Sequence, residues 1–351
     1  MQISLTHRNT LIPVGVGPLD IAFAPSNNNL YVTNIGNSDS DGFSPSVSVI
    51  STSTNTVANT IPLPTNFYPT GIVFATSNND IYVAGSLPNR TSSPSSESYA
   101  VYAISTSSNT IVATIPLGYG PNFGGYLLVV FAPSNNNIYV TNGNTGTISV
   151  ISTTTNILLA TIPVPADRLS GLAFAPSNNE IYLAGGSTNT VFVIDTFTNT
   201  VVGTLPVGFA YSVAFSSSNN NIYVANLDHS ISVISTSTNT LITTIQVPAG
   251  YEISGVAFSP SNNEIYATGD GNSFPTIPPG GLLSTVFVIC ASTNSQIGSI
   301  SLPNGSDPAG VAFASSNNEI YVVNANSNTV AAIATIHQHP VPASCAAGNR
   351  S

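Results

Sequence analysis

"FAPSNNNIYVTN", residues 131–142, sets three asparagines between a phenylalanine-led apolar run and the triplet Ile138-Tyr139-Val140. Three adjacent asparagines are unusual in a chain that is 42% hydrophobic. The stretch is either a binding motif or one unit of a repeating structure, and its recurrence decides between them. It returns seven times, starting at Phe23, Phe74, Phe131, Phe174, Phe215, Phe258 and Phe313. A tyrosine follows eight residues later each time: Tyr31, Tyr82, Tyr139, Tyr182, Tyr223, Tyr266 and Tyr321. The intervals are 51, 57, 43, 41, 43 and 55 residues. The basic unit is therefore a little over 40 residues, the length of a repeated supersecondary element.

Each unit reads as four short strands. In the fourth copy these are "SGLAFAP", "EIYLAG", "NTVFVID" and "NTVVGTLPV". Asparagine tolerates the left-handed backbone, so the Asn-rich joint between the first two strands reads as a hairpin turn. The Ser/Thr/Asn joints, such as "STSTNT" at 51–56 and 235–240, hold their bends through hydroxyl and amide bonds to the backbone. The segments "IYV", "VSVI" and "VFVI" are apolar without strict alternation, as in sheets covered on both faces. Repeated four-stranded antiparallel sheets buried on both faces predict an all-β, seven-bladed β-propeller over residues 1–335, with a tail at 336–351. The seventh copy lacks a fourth strand, and "RNTLIPVGV" at 8–16 matches one. The N-terminal strand is expected to complete the last blade; its alternative is to pair with a neighbouring molecule and build a filament.

"YVTN" stands verbatim at 31–34 and 139–142, with "YVAN" at 223 and "YVVN" at 321. On these phrases the chain resembles the YVTN-repeat β-propellers of archaeal and bacterial surface layers and cell surfaces. The even copies depart from the pattern with "YVAG", "YLAG" and "YATG". The resemblance implies a cell-surface setting and no single activity, because propellers host enzymes, binders and structural parts alike.

Composition narrows function by exclusion. Charged residues make up 5%, against about 25% in an ordinary soluble domain. There is no lysine, the arginines are Arg8, Arg90, Arg168 and Arg350, and the net charge is -10. No cationic footprint for nucleic acid or anionic lipid can be assembled. Ser, Thr and Asn carry the solubility, which suits an extracellular location. The first 20 residues have neither a basic n-region nor a long apolar h-region, and no apolar run is long enough to span a membrane. This fits a mature form or export without an ordinary signal. Cys290 and Cys345 are expected to form one disulfide pinning the tail.

In a propeller the first-to-second and third-to-fourth turns share one face, here the turn face. The second-to-third and blade-to-blade loops share the other, the loop face. The length differences fall on the loop face, at 34–46, 85–98, 117–126 and 269–284. Loops on a rigid scaffold carry binding. The candidate ligand residues are Phe43, Tyr68, Tyr119, Phe123, Tyr126, Tyr211 and Tyr251. Asp20 joins them as the one charge at an axial position where four other copies have glycine. Aromatic faces beside carboxylates suit a glycan or a protein loop; the bland reading is that the rings cap blade ends. Asn37, Asp39 and Asp41 alternate before Gly42 as in a calcium loop, but no bidentate glutamate follows, so calcium is the one cofactor considered. Asp228-His229-Ser230 has the letters of a triad without the spacing, and His337 and His339 lie in the tail. Asn89, Asn304 and Asn349 occupy N-x-S/T sequons. The expectation is a non-catalytic cell-surface module, either a subunit of a layer or filament made with itself or an adhesion module for glycans or proteins. A lactonase-like or quinoprotein-like enzyme is the remaining rival.

Overall fold

A computed structural model describes residues 9–39, 42–89, 96–121, 126–166, 168–271, 283–303, 305–334 and 345. Seven four-stranded antiparallel sheets follow one another as blades of a β-propeller. Blades 1 to 6 cover 18–62, 68–121, 129–163, 172–206, 210–246 and 252–301. Blade 7 takes three strands from 308–334, and its fourth is the N-terminal strand Asn9–Pro13, paired antiparallel with Thr329–Ala334. The ring closes on itself, and the N-terminal strand is spent within its own molecule.

The repeated phrase is a hairpin whose register sorts its two rings. In blade 3, Phe131 lies opposite Ile138 and Val130 opposite Tyr139. Side chains alternate across a strand, so Phe131 and Tyr139 project from opposite faces of the sheet. Tyr139 enters the core between blades 3 and 4, and Phe131 the core between blades 2 and 3. Each interface thus receives a tyrosine from one blade and a phenylalanine from the next. All seven tyrosines are fully buried.

A buried phenol needs partners for its hydroxyl, and the asparagines supply them. Asn135 donates from Nδ2 to the Tyr139 hydroxyl (2.9 Å) and to the Thr196 carbonyl of the next blade (3.0 Å). The Tyr139 hydroxyl donates to Asn199 Oδ1 of that blade (2.8 Å). Asn136 and Asn199 both adopt the left-handed conformation, with φ of 56° and 53°. One residue type therefore makes the turn and carries the amide that locks adjacent blades. The equivalent pairs are Tyr31–Asn109, Tyr82–Asn156, Tyr182–Asn239, Tyr223–Asn294 and Tyr321–Asn55.

The junction between blades 6 and 7 differs for a topological reason. The fourth strand of blade 7 comes from the N-terminus, so that blade has no third-to-fourth turn, and among the described residues no asparagine of blade 7 latches Tyr266. Tyr266 donates to Glu264 Oε2 of its own strand (2.7 Å) instead. A covalent tie stands at this place. Cys290, ending the third strand of blade 6, is disulfide-bonded to Cys345 of the chain that leaves blade 7, and Cys345 is fully buried.

The "YVTN" and "YVAG" variants have a packing cause. In blades 1, 3 and 5 the asparagine donates to a serine of the third strand: Asn34 to Ser48, Asn142 to Ser149 and Asn226 to Ser232, each at 3.0 Å. Blades 4 and 6 carry glycine there and a phenylalanine in place of the serine. A Cβ on Gly269 would lie 2.8 Å from Phe287 Cε2, and one on Gly185 2.6 Å from Phe192 Cε2. Blade 2 carries Gly85 with Tyr102 at the serine position, but there a Cβ on the glycine would meet Phe67 Cζ (2.6 Å), the ring that packs on Tyr102, and the Tyr68 carbonyl (2.3 Å). These rings fill the interfaces of blades 1/2, 3/4 and 5/6. Blades pack as alternating apolar and hydrogen-bonded junctions.

Two outcomes follow from this packing. Tyr139→Phe leaves the ring in place but strips Asn135 and Asn199 of a partner, and denaturant unfolding should show a loss of about 1–3 kcal/mol. Gly269→Asn should destabilise the wild type strongly and the Phe287→Ser variant much less. A double-mutant cycle is expected to return a coupling of roughly 0.5–3 kcal/mol; simple additivity would contradict the exchange.

Candidate functional site

The first strand of every blade lines the axis, where its outer backbone edge has no further strand to pair with. Three residues before each repeated phenylalanine, at the same level of that strand, stand Asp20, Gly71, Leu128, Gly171, Ser212, Gly255 and Gly310. Space there is tight, since a Cβ on Gly310 would come within 2.9 Å of Asp20. Asp20 turns this crowding to use. Its Oδ1 accepts from the Ile21 amide (2.9 Å) and its Oδ2 from the Ile72 amide of blade 2 (3.0 Å), satisfying an otherwise unpaired edge donor. Burial pushes its carboxyl up to about 6, against the pull of those two amides.

A cavity of about 360 Å³ opens at this level toward the loop face. Its polar lining includes Asp20, Asp307, Tyr126 and Tyr211, set among Leu19, Leu128, Leu169 and Val213. Tyr211 reaches the axis from the first strand of blade 5. Burial pushes its phenol up to about 12, with Tyr126, Asp307 and Glu252 near enough to add to the effect. Asp307 sits just before the first strand of blade 7 with φ of 48°. Burial and the neighbouring Asp270 raise its carboxyl above the usual range. Tyr68 stands beside the mouth, its phenol raised by burial first and then by Tyr126 and Glu97.

Of the sequence candidates, Asp20, Tyr126 and Tyr211 meet in this cavity. Tyr68 adjoins it, and Phe43 packs edge-on against Tyr68 with ring centroids 6.1 Å apart. Tyr251 stands edge-on to Phe287 at 5.1 Å and belongs to the packing of blade 6. Tyr119 is 77% exposed on the fourth strand of blade 2, opposite Ser98, and is not among the residues lining the cavity. Phe67, another loop-face aromatic by position, is fully buried against Tyr102 at 4.7 Å. Asn37 is exposed ahead of a two-residue hairpin, Ser38–Asp39 with Gly42–Phe43. Phe123, Asp41, Asn304, Asn349, His337 and His339 lie outside the described residues, as do the side chains of Asp39 and Asn89. Among the described residues no three His, Cys, Asp or Glu side chains gather as metal donors. In the Asp228-His229-Ser230 run, Ser230 donates to Asp228 Oδ1 (2.7 Å), while His229 Nδ1 faces the Tyr251 carbonyl (2.6 Å). The imidazole is thus turned to a main-chain carbonyl.

Two residues gain importance only in three dimensions. Asp307 stands on a blade-to-blade link where no repeat aligns it with Asp20, so periodicity gave no signal. Glu97 is 6% exposed in the long hairpin of blade 2, and its Oε2 has no partner among the described residues. Burial raises its carboxyl, and burial first and then the nearby Glu97 push the Tyr99 phenol up to about 12.

The raised carboxyl of Asp20 favours the protonated form in the folded state. Its stabilising contribution is full below the ordinary value of 3.8 and is lost as pH rises through about 6. Taking the protein from pH 7 to pH 4 should therefore stabilise it through this residue, by no more than about 3 kcal/mol. Urea midpoints across pH 4–7.5 should show this limb in the wild type and a flatter one in Asp20→Asn. An unchanged slope would remove Asp20 as its source.

Neither a comparison with protein-family models nor one with curated proteins returns a match for this chain.

Proposed function

We propose that the chain is a non-catalytic interaction propeller of the cell exterior, receiving its ligand or partner at the axial mouth of the loop face. The observation that carries this reading is the division of labour between faces. The turn face is tied up in repeated Tyr–Asn latches, while the cavity with Asp20, Asp307, Tyr126 and Tyr211 opens among the loops that vary in length. Rigid scaffold below and variable loops above is the arrangement in which recognition is placed. The YVTN phrases support a surface-layer or cell-surface setting. So do a solubility resting on Ser, Thr and Asn and a disulfide suited to oxidising surroundings. No described helix is long and apolar enough to cross a membrane.

Side-by-side packing into a layer is a second reading, favoured by the outer rim. The seven fourth strands contain no charged residue, and Ile157, Leu159, Val202 and Ile242 are more than 45% exposed on blades 3 to 5. Edge strands are usually protected by charge. Strand exchange is not required for such a layer, since Asn9–Pro13 is already paired.

Carboxyl footprinting separates the readings. On the surface of producing cells, Asp307 and Glu252 should be protected relative to the purified protein, and Tyr126→Ala should abolish that protection. Equal labelling of both faces in the two samples would contradict the binding reading. Regular sheets of discs in electron micrographs of the purified protein would establish the layer instead.

A further inference from the structure

We propose that the axial cavity receives an alkylammonium group, the positively charged end of a small amine or of a lysine side chain. This rests on the loop face being the binding surface and names the chemistry it selects. Among the residues lining the cavity are two carboxylates, Asp20 and Asp307, and two phenol rings, Tyr126 and Tyr211; none is basic. Arg168 immediately precedes the lining residue Leu169, but it is itself exposed and outside the lining. An anion entering here would meet two carboxylates with no counter-charge. A neutral ligand would cover those carboxylates and leave their charge uncompensated, which is costly in a partly dry site. A cation offsets both.

The form of the cation follows from the remaining lining. Calcium asks for six to eight oxygen ligands. Both oxygens of Asp20 already accept backbone amides, and the described residues offer no three-donor group. An organic ammonium asks for less: nearby negative charge, aromatic faces and apolar walls for its carbons. Tyrosine rings attract such groups through their faces. Leu19, Leu128, Leu169 and Val213 supply the walls. A volume of about 360 Å³ accommodates a short alkyl chain and its head. A lysine side chain of another copy of this chain cannot supply it, since the sequence contains no lysine.

The test is titration of the whole protein, oxidised at its disulfide, with butylammonium chloride, followed by the ring resonances of Tyr126 and Tyr211. Butan-1-ol and glucose serve as neutral probes, and the tripeptide glycyl-lysyl-glycine as the peptide source of the same group. Butylammonium should saturate, butan-1-ol should not, and Asp307→Asn should weaken butylammonium about tenfold or more. Asparagine suits the left-handed conformation of residue 307, so this variant should keep its unfolding midpoint. Thr54→Ala on the turn face should leave binding unchanged. Tighter binding of the tripeptide than of butylammonium would assign the group to a protein partner, and the reverse to a free amine. Equal affinity for butan-1-ol and butylammonium, or none lost in a folded Asp307→Asn, would overturn the proposal. Glucose shifting both rings while butylammonium does not would overturn the cation and leave the loop-face reading standing. Silence from every probe, with no footprint on cells, would remove both.

Discussion

The hydrogen bond between a buried tyrosine and an asparagine of the next blade is the contact on which the rest of this ring depends. Hydrophobic packing between blades is strong but has little direction, since flat apolar sheets can slide over one another. The Tyr–Asn latch fixes the slide. Its donor is rooted in the second strand of one blade and its acceptor in the left-handed turn of the next. A shift of one residue would leave a buried phenol and a buried amide without partners, a cost of about 1–3 kcal/mol at each junction. Repeated around the ring, that penalty selects one angular setting. The channel and its cavity inherit their shape from it.

The same device shows why closure needs a different solution at one place. A propeller closed by its N-terminal strand gives up one turn, and with it one latch. Blade 7 keeps its sheet complete through Asn9–Pro13, so its third strand is not left as an edge. The lost contact lies on the turn face between blades 6 and 7, where the Cys290–Cys345 bond joins blade 6 to the chain leaving blade 7. Covalent and hydrogen-bonded ties therefore complement each other around the ring. The alternation of Asn–Ser and Gly–aromatic junctions adds a second rhythm, in which the apolar interfaces follow blades 1, 3 and 5. Seven is odd, so two neighbouring junctions lack a ring from the third strand: Asn34 donates to Ser48 on the face of blade 1 toward blade 7, and Asn324 donates to Thr329 on the face of blade 7 toward blade 6.

Periodicity made the fold legible. Seven Phe/Tyr pairs, the turn asparagines and the orphan strand at 8–16 are repeated signals, and together they specify blade number, strand count and closure. The latch was hidden because its two ends are 57 to 78 residues apart, or 266 where blade 7 meets blade 1, and each already had a local explanation in turn chemistry. The candidate site was legible only in part. Tyr126 and Tyr211 were marked as loop-face aromatics and Asp20 as the one charge at an axial position, and the cavity brings them together. Tyr251 and Phe67 bear the same marks, yet they pack against Phe287 and Tyr102. Sequence position places a residue on a face but does not say whether its ring points to solvent or into a sheet. Asp307 was missed as a partner for Asp20 because blade-to-blade links carry no repeat to align them.

Native-state hydrogen exchange, resolved blade by blade with the disulfide intact and then reduced, tests the latch account most directly. With the bond intact, amides at all seven junctions should be protected to a similar degree. After reduction, the facing strands of blades 6 and 7 should exchange first, while blades 2 to 5 stay protected. Uniform loss of protection around the ring, or first opening at a junction that carries a Tyr–Asn pair, would contradict it.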